Sequence, residues 1–539
     1  MSDHKKPSGV TRRTFLRRTG WAAVGLTAIA VVGYPYVGTA MPALPSFSNP
    51  QIGDGWAWIQ MLPDGRIRFY CPRMEMGQGA NLGLAQIVAE ELNVGQNDIE
   101  CLLPDTSQTA VFKATVGSES IVKFFQPVSL AAARLREELR LRAARQARVK
   151  LAEVKDRDGG FILPGGVNIT YGDLVQKTAI VLPEPSSDSA MPMQYALRDA
   201  QALQTIGQRW RHPDLHGIVT GTQVYSRDVV VPDMVYGRVM RPPKIGARIV
   251  KIDTSRAEPL PDLIKIVEDK AQNFIGFVCD NPFILDEVAE AIEVTWHSNE
   301  DVFPADRETA EMLRETNAFP HVVASNGEAV DESGEGEISV SGAYFTPPAA
   351  HTAMEPRAGV VSVSNGKAEV WCGSQDSFFV QQRVAKAIGF KNDAVNVHSL
   401  RMGGGFGGRL ACWASEDAAV LSNAVQRPVR VQWSREDEQQ HNYFQPPFSH
   451  FIDARVDSAG IITRWNHDCV SAPIITGPFS FMGMPLADTV TSVVDWIGPD
   501  KGTMRGIVSP YAMPNHRIRF APARTGIPVG AFRGLGAAP

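Results

Sequence analysis

The residues best suited to chemistry sit in short glycine-rich or charged segments. The densest is Arg401-Met402-Gly403-Gly404-Gly405-Phe406-Gly407-Gly408-Arg409. It follows a β-like run at 395–400 and precedes a helix-like run from Cys412. Glycines let backbone come close to a ligand, and an embedded Phe suits a flat one. Gly403-x-Gly405-x-x-Gly408 also fits the dinucleotide fingerprint in its strand–loop–helix setting. The acid that fingerprint expects about 20 residues on has no clear counterpart, because Glu436 and Asp437 come too late. No run of βαβ units precedes the loop either.

Four further segments carry candidate chemistry. Met74-Glu75-Met76-Gly77-Gln78-Gly79-Ala80 joins a strand to a helix. Its glycines permit close approach, Gln78 offers a donor and an acceptor, and amides at the helix start suit a phosphate. Thr115-Val116-Gly117-Ser118-Glu119-Ser120 is a second Gly/Ser turn, readable as an anion site or a helix cap. His351-Thr352-Ala353-Met354-Glu355-Pro356 places a His and a Glu near each other, but Met354 and Pro356 favour a strand turning into a loop, with Glu355 structural. Gly530-Ala531-Phe532-Arg533-Gly534-Leu535-Gly536 sets an Arg between an aromatic and glycines, where it can meet an anion while Phe532 bounds an apolar pocket. The charges of Trp433-Ser434-Arg435-Glu436-Asp437 read as a solvated ion-pair cluster.

The elements that must position these segments follow from periodicity. Residues 52–70 read as a hairpin turning at Pro63-Asp64-Gly65-Arg66, and 82–92 and 128–151 as helices. From 216 to 296, β runs at 234–240, 247–252, 263–267 and 274–279 alternate with one helix at 284–291, which makes a small mixed unit. Beyond 338 come strands at 360–363, 368–372, 395–400 and 429–433, with helices at 380–388 and 412–425. Residues 183–189 and 328–337 read as surface loops. The chain divides into 1–45, 46–205, 206–305 and 335–539.

Composition bounds the function. Of 539 residues, 44% are hydrophobic and 21% charged, which suits several globular domains. The net charge of −5 has no basic stripe beside aromatics, which argues against nucleic acid as a partner. The N-terminus is the exception. Arg12-Arg13-Thr14-Phe15-Leu16 precedes an apolar run at 21–37 rich in small residues, then Gly38-Thr39-Ala40. That order reads as an export signal of the twin-arginine type, with a membrane anchor as the alternative. A folded, cofactor-loaded protein bound for the periplasm would use that route. Six scattered cysteines form no C-x-x-C pair, so iron–sulfur, c-haem and zinc signatures are missing, and buried free thiols are expected.

Taken together, Glu75-Met76-Gly77-Gln78-Gly79, His351-Thr352-Ala353-Met354-Glu355-Pro356, the 401–409 loop, Arg427-Pro428-Val429-Arg430 and Ala531-Phe532-Arg533-Gly534 resemble the xanthine oxidase family of molybdenum hydroxylases. The likeness is to the molybdopterin-binding large subunits of the isoquinoline 1-oxidoreductase and membrane-bound aldehyde dehydrogenase types. It covers nearly the whole chain after the signal. The resemblance implies an α+β, multidomain large-subunit fold in which 215–296 forms an α/β hammerhead domain. It implies molybdenum bound by molybdopterin cytosine dinucleotide, with Phe406 and Arg533 beside the metal. Gly77, Gln78, Gly79, Gly117 and Ser118 would hold the pterin and its phosphate, together with Gly404, Gly405, Gly407 and Gly408 of the loop. Phe532 and Leu410 would line the substrate pocket.

Three departures sharpen the expectation. Purine-oxidising relatives carry a Glu where Leu410 stands, so an aldehyde or an aromatic N-heterocycle is expected as the small-molecule substrate, hydroxylated with oxygen from water. Ala349 stands where those relatives have a Gln, so a hydrogen bond near the metal is expected to be absent or supplied otherwise. The family's catalytic Glu lies in a Gly-x-Gly-Glu segment well past Ala-Phe-Arg-Gly, so the general base is expected beyond Pro539. Without cluster ligands in this chain, electrons would leave through a small 2Fe–2S subunit, with a cytochrome c subunit as a further carrier. Two alternatives stay open: a non-catalytic cofactor-binding remnant, and an NAD- or FAD-dependent protein using Gly403–Gly408.

Overall fold

A computed structural model describes residues 58–109, 112, 114–175, 180–181, 203–298, 306–316, 318–327, 337–475, 495, 498 and 500–537. The expected export signal and the 183–189 loop lie outside these residues, as does nearly all of the 328–337 loop.

The N-terminal part pairs a small sheet with two helices. Ile59–Met61 and Ile67–Tyr70 form the expected hairpin, and Ile99–Leu102 adds to it in parallel. Ala80–Leu92 and Ser120–Ala147 lie against each other and bury Leu84, Val88, Leu135 and Leu139 with Ile67 and Phe69. The long helix starts earlier than 128 because Pro127 is tolerated inside it. A three-stranded sheet over Lys155–Arg157, Gly160–Leu163 and Val167–Thr170 was not foreseen.

The central sheet has seven strands in the order Leu263–Asp269, Phe274–Cys279, Val235–Val239, Val429–Gln432, Ala358–Ser364, Lys367–Cys372, Val395–Ser399. Valines on these strands pack beneath Ser377–Ile388 and Trp413–Val425 in one core. Val235–Val239 hydrogen-bonds in parallel with Val429–Gln432, so the sheet runs through the 206–305 segment into the 335–539 segment. A separate small core gathers Phe277, Val288 and Ile292 under Leu285–Ala291 and the two-stranded pair Arg248–Asp253 with Glu293–His297. A five-stranded sheet, His321–Asn326, Asn515–Pro522, Ile462–Ser471, Phe448–Val456, Ile338–Thr346, completes the fold. Helices and sheets in several layers make the chain α+β and multidomain. Five of the six cysteines are buried free thiols, and Cys101 is half-buried.

The central sheet also answers the nicotinamide or flavin alternative. It is mixed rather than doubly wound, and the strand entering the glycine loop, Val395–Ser399, is its edge. A dinucleotide crevice needs a reversal of strand order inside a parallel sheet. None exists at this loop.

Candidate cofactor site

The glycine loop is fixed from below by side chains that take up its amides. Gly403 N donates to Glu355 Oε2 at 2.8 Å, and Arg409 Nη1 donates to the same oxygen at 2.9 Å. Arg409 Nη2 also donates to the Glu355 carbonyl, and Ser226 N to Glu355 Oε1 at 3.2 Å. Gln375 Oε1 accepts from Gly407 N at 3.1 Å and Arg409 N at 3.2 Å. Glu355, Arg409 and Gln375 are buried, so their charges and dipoles must be matched internally. The amides of Gly403, Gly407 and Arg409 are thus taken up by side chains of the protein itself. Glu355 is structural, as its Met-Glu-Pro setting indicated.

A second buried pair lies under the loop's far end. Arg357 Nε donates to Glu438 Oε1 at 2.8 Å, and Arg357 Nη2 to the Gly408 carbonyl at 3.0 Å. Burial pushes the Glu438 carboxyl's pKa up, but the Arg357 charge and hydrogen bonds outweigh it and hold it below its ordinary value. Glu438 reaches this position because Ser434 caps the helix Arg435–Gln440 in a reciprocal box with Asp437. The charges expected to form a solvated cluster are therefore a helix start. Its Arg435 donates to the Ala353 and Met354 carbonyls at 2.6 and 2.7 Å.

Distant segments converge on this loop. A Cβ on Gly405 would strike Met76 Sδ at 2.7 Å, which puts the Met-Gly-Gln-Gly turn against it. Met402 N donates to the Glu75 carbonyl at 3.0 Å, and Arg401 Nη1 to Asp214 Oδ2 at 2.8 Å. Gln375 exchanges two hydrogen bonds with the Thr115 backbone, Thr115 N to Gln375 O at 2.8 Å and Gln375 Nε2 to Thr115 O at 2.9 Å. Gly407, at φ +101°, presses on the Ala531–Phe532 peptide with no space for a Cβ.

The sequence-derived residues distribute unevenly around this hub. Gly404 and Gly407 both have positive φ, as does Phe406 at +56°, which remains 37% exposed at the loop's tip. The exposed Arg533 places its guanidinium carbon 5.9 Å from the Phe406 ring centroid. No other described group pairs with that charge. Gly408 packs on the His351 ring, and Phe532 stacks obliquely on the same ring at 5.0 Å. Leu410 is buried with Ala114, Phe379 and Ala411. Gly77 and Gly79 face open space, but their amides donate to Glu75 Oε1 at 2.8 and 3.2 Å. Gln78 folds back on its own turn, accepting from Met76 N and donating to the Met74 carbonyl. Gly117 and Ser118 both have positive φ; Gly117 abuts Arg505, which pairs with Glu119 at 3.5 Å.

Two residues escaped the sequence reading. One is Gln375, which the chain delivers from the turn after Lys367–Cys372; its amide oxygen accepts from Gly407 N and Arg409 N and its amide nitrogen donates to the Thr115 carbonyl, so it holds the loop and does not replace the glutamine sought at position 349. Gly373-Ser374-Gln375-Asp376 is itself a polar glycine turn between strand and helix, and that signal was available. Tyr443, whose hydroxyl donates to the Gly407 carbonyl, had no such mark.

Comparison with known proteins follows the same outline. Two models described as Molybdopterin cofactor-binding domain match residues 314–539 and 10–209, together most of the chain. A nicotinate dehydrogenase chain of Pseudomonas putida is 26% identical over 389 residues, 71% of this chain and 32% of that protein. The beta chain of isoquinoline 1-oxidoreductase from Brevundimonas diminuta is 26% identical over 538 residues, 89% of this chain and 66% of that protein. The chain thus spans from about a third to two thirds of these relatives' lengths. Among solved structures, quinoline 2-oxidoreductase from Pseudomonas putida 86 aligns at TM-score 0.46 and 19% identity, over 60% of this chain and 45% of that one. On its two cofactor-binding domain matches and these relatives, the chain belongs to the molybdopterin-binding large subunits of the xanthine oxidase family of molybdenum hydroxylases.

Proposed function

We propose that this chain is the cofactor-binding subunit of an oxidoreductase that hydroxylates an aldehyde or an aromatic N-heterocycle with oxygen from water. The observation that carries this reading is the meeting of Met76, Gln375, Gly405–Gly407 and Ala531–Arg533, far apart in sequence, around one rigid glycine loop. The residues fit an anionic, flat cofactor at the loop tip. Phe406 and the Arg533 guanidinium, which has no ion-pair partner among the described residues, stand exposed there, and two positive-φ glycines keep the backbone bare. The turn at Gly77–Gly79 offers open backbone on one side, while its two glycine amides are engaged by Glu75.

Molybdenum on its pterin supplies the two-electron chemistry when bound. The chain's own residues do the holding. Glu355 and Gln375 fix the loop, Arg533 offers a positive charge beside Phe406, and Phe532 presents an aromatic edge to a substrate ring. The cytosine dinucleotide form, a 2Fe–2S partner with a cytochrome c beyond it, and twin-arginine export to the periplasm belong to the same proposal. They rest on the motif set and the Arg12-Arg13 segment. A membrane tether through the N-terminus is the alternative to a cleaved signal.

The test is oxidation of an aldehyde and an N-heterocycle panel in heavy-oxygen water by the complex purified from its host. Label from water in the product supports the reading. Product oxygen drawn from dioxygen, or electron transfer only with added NAD, contradicts it.

A further inference from the structure

One buried histidine at the loop is unused by that account. His351 Nε2 lies 2.8 Å from the Ala531 carbonyl oxygen. A carbonyl only accepts, so Nε2 carries the proton. The ring is wedged between the Gly408 backbone, which leaves no space for a Cβ, and the rings of Phe532 and Tyr443 at 5.0 and 5.3 Å. Tyr443 repeats the device from the other side. Its hydroxyl donates to the Gly407 carbonyl, and its ring fills the space above Gly530. Chain pairing next to it, Phe444 N to Pro528 O at 2.8 Å and Gly530 N to Phe444 O at 3.1 Å, holds the two segments in register.

These two donors therefore clamp two carbonyls, those of Gly407 and Ala531, which belong to the two backbones meeting at the loop. In a planar trans peptide the N–H points opposite to the C=O. With the Ala531 oxygen turned to His351, the Phe532 N–H is turned away from it, and no described group accepts from that amide. We propose that His351 and Tyr443 are positioning residues that aim the Ala531–Phe532 peptide and the Phe532 ring at the cofactor, His351 acting as a Nε2–H donor and not as an acid or base. This rests on the cofactor-site reading above.

The test uses the full chain in its complex, with His351→Phe, His351→Gln and Tyr443→Phe. Phe keeps the ring without the donor, while Gln returns an amide donor near the Nε2 position. Amide exchange is read at 530–534 and 405–409, with the strand Leu263–Asp269, at the far edge of the central sheet, as internal control. We expect exchange in both segments to rise about tenfold in His351→Phe and Tyr443→Phe, as loss of one hydrogen bond would cause, and His351→Gln to return towards wild type. With molybdenum retained, kcat falls about 10- to 100-fold and KM changes little. Wild-type exchange or wild-type kcat in His351→Phe overturns the proposal, as does a His351→Gln no better than His351→Phe. If the wild-type complex carries no molybdenum, the cofactor reading fails, and exchange at 530–534 still decides whether the clamp exists.

Discussion

At the residue scale, the glycine loop was legible because it is a statement of residue type. Five glycines around one Phe need no partner to be noticed. What holds them was only partly legible: Glu355 reads as structural and Gln375 stands in a glycine turn, but Arg357 and Tyr443 come from elsewhere in the chain and look ordinary where they stand. The loop's demands yield two predictions. Gly407→Ala puts a Cβ into the Ala531 carbonyl at a φ that L-residues avoid, so about 1–3 kcal/mol of strain must be relieved by moving one backbone. The expected result is a folded protein with molybdenum content well below wild type, read by metal analysis against the denaturant midpoint. Glu355→Ala leaves the buried Arg409 charge without its carboxylate. That should lower stability by about 3–5 kcal/mol in urea unfolding, and an unchanged midpoint would show the pair is not buried in solution.

At the element scale, every expected strand of the central sheet and both its covering helices lie within a few residues of their observed bounds, because Val-rich alternation and helical periodicity are strong there. The five-stranded sheet went unread. Its edge strand Ile338–Thr346 is exposed along most of its length, so burial never imposed a two-residue period on it. Phe448–Val456 places polar Ser449, His450 and Asp453 among its apolar residues although none of its residues is exposed, so its pattern does not alternate either. One junction between elements invites a test. His398 on the sheet's edge strand sits between Asp105 Oδ2 at 2.6 Å and Glu369 Oε2 at 2.7 Å and stacks on Trp371. Beside it Thr106 N donates to the Val397 carbonyl at 3.2 Å. His398→Ala should release the 104–106 segment from the sheet, raising amide exchange at Thr106 and Val397 while costing only about 1 kcal/mol globally. Equal exchange in both proteins would mean the backbone pairing alone holds the junction.

At the scale of the whole molecule, buried histidines set an acid limit. Burial lowers the pKa of His351 and of His450 to about 4, and that of the neighbouring His467 also falls. The unfolded chain binds these protons near an ordinary value of about 6.5, so it takes up more protons than the folded chain between the two values. Stability from these groups is therefore complete above pH ~6.5 and is lost as pH falls towards ~4, by up to about 3 kcal/mol each for His351 and His450. Unfolding midpoints from pH 8 to 4 should fall along that window, and His450→Phe should flatten the slope. No such change would place these rings in contact with water. Hydrogen bonds of the central sheet cross from 235–239 to 429–431, a pairing between distant segments that local periodicity does not show.

We propose that the glycine loop and the Ala531–Arg533 segment form a molybdenum cofactor cradle. The most direct measurement is molybdenum and acid-released nucleotide per chain in the complex purified from its own host. On this proposal, close to one molybdenum and one CMP per chain are expected, both falling together in Gly407→Ala. A well-folded complex carrying neither, or carrying flavin or nicotinamide instead, would contradict it.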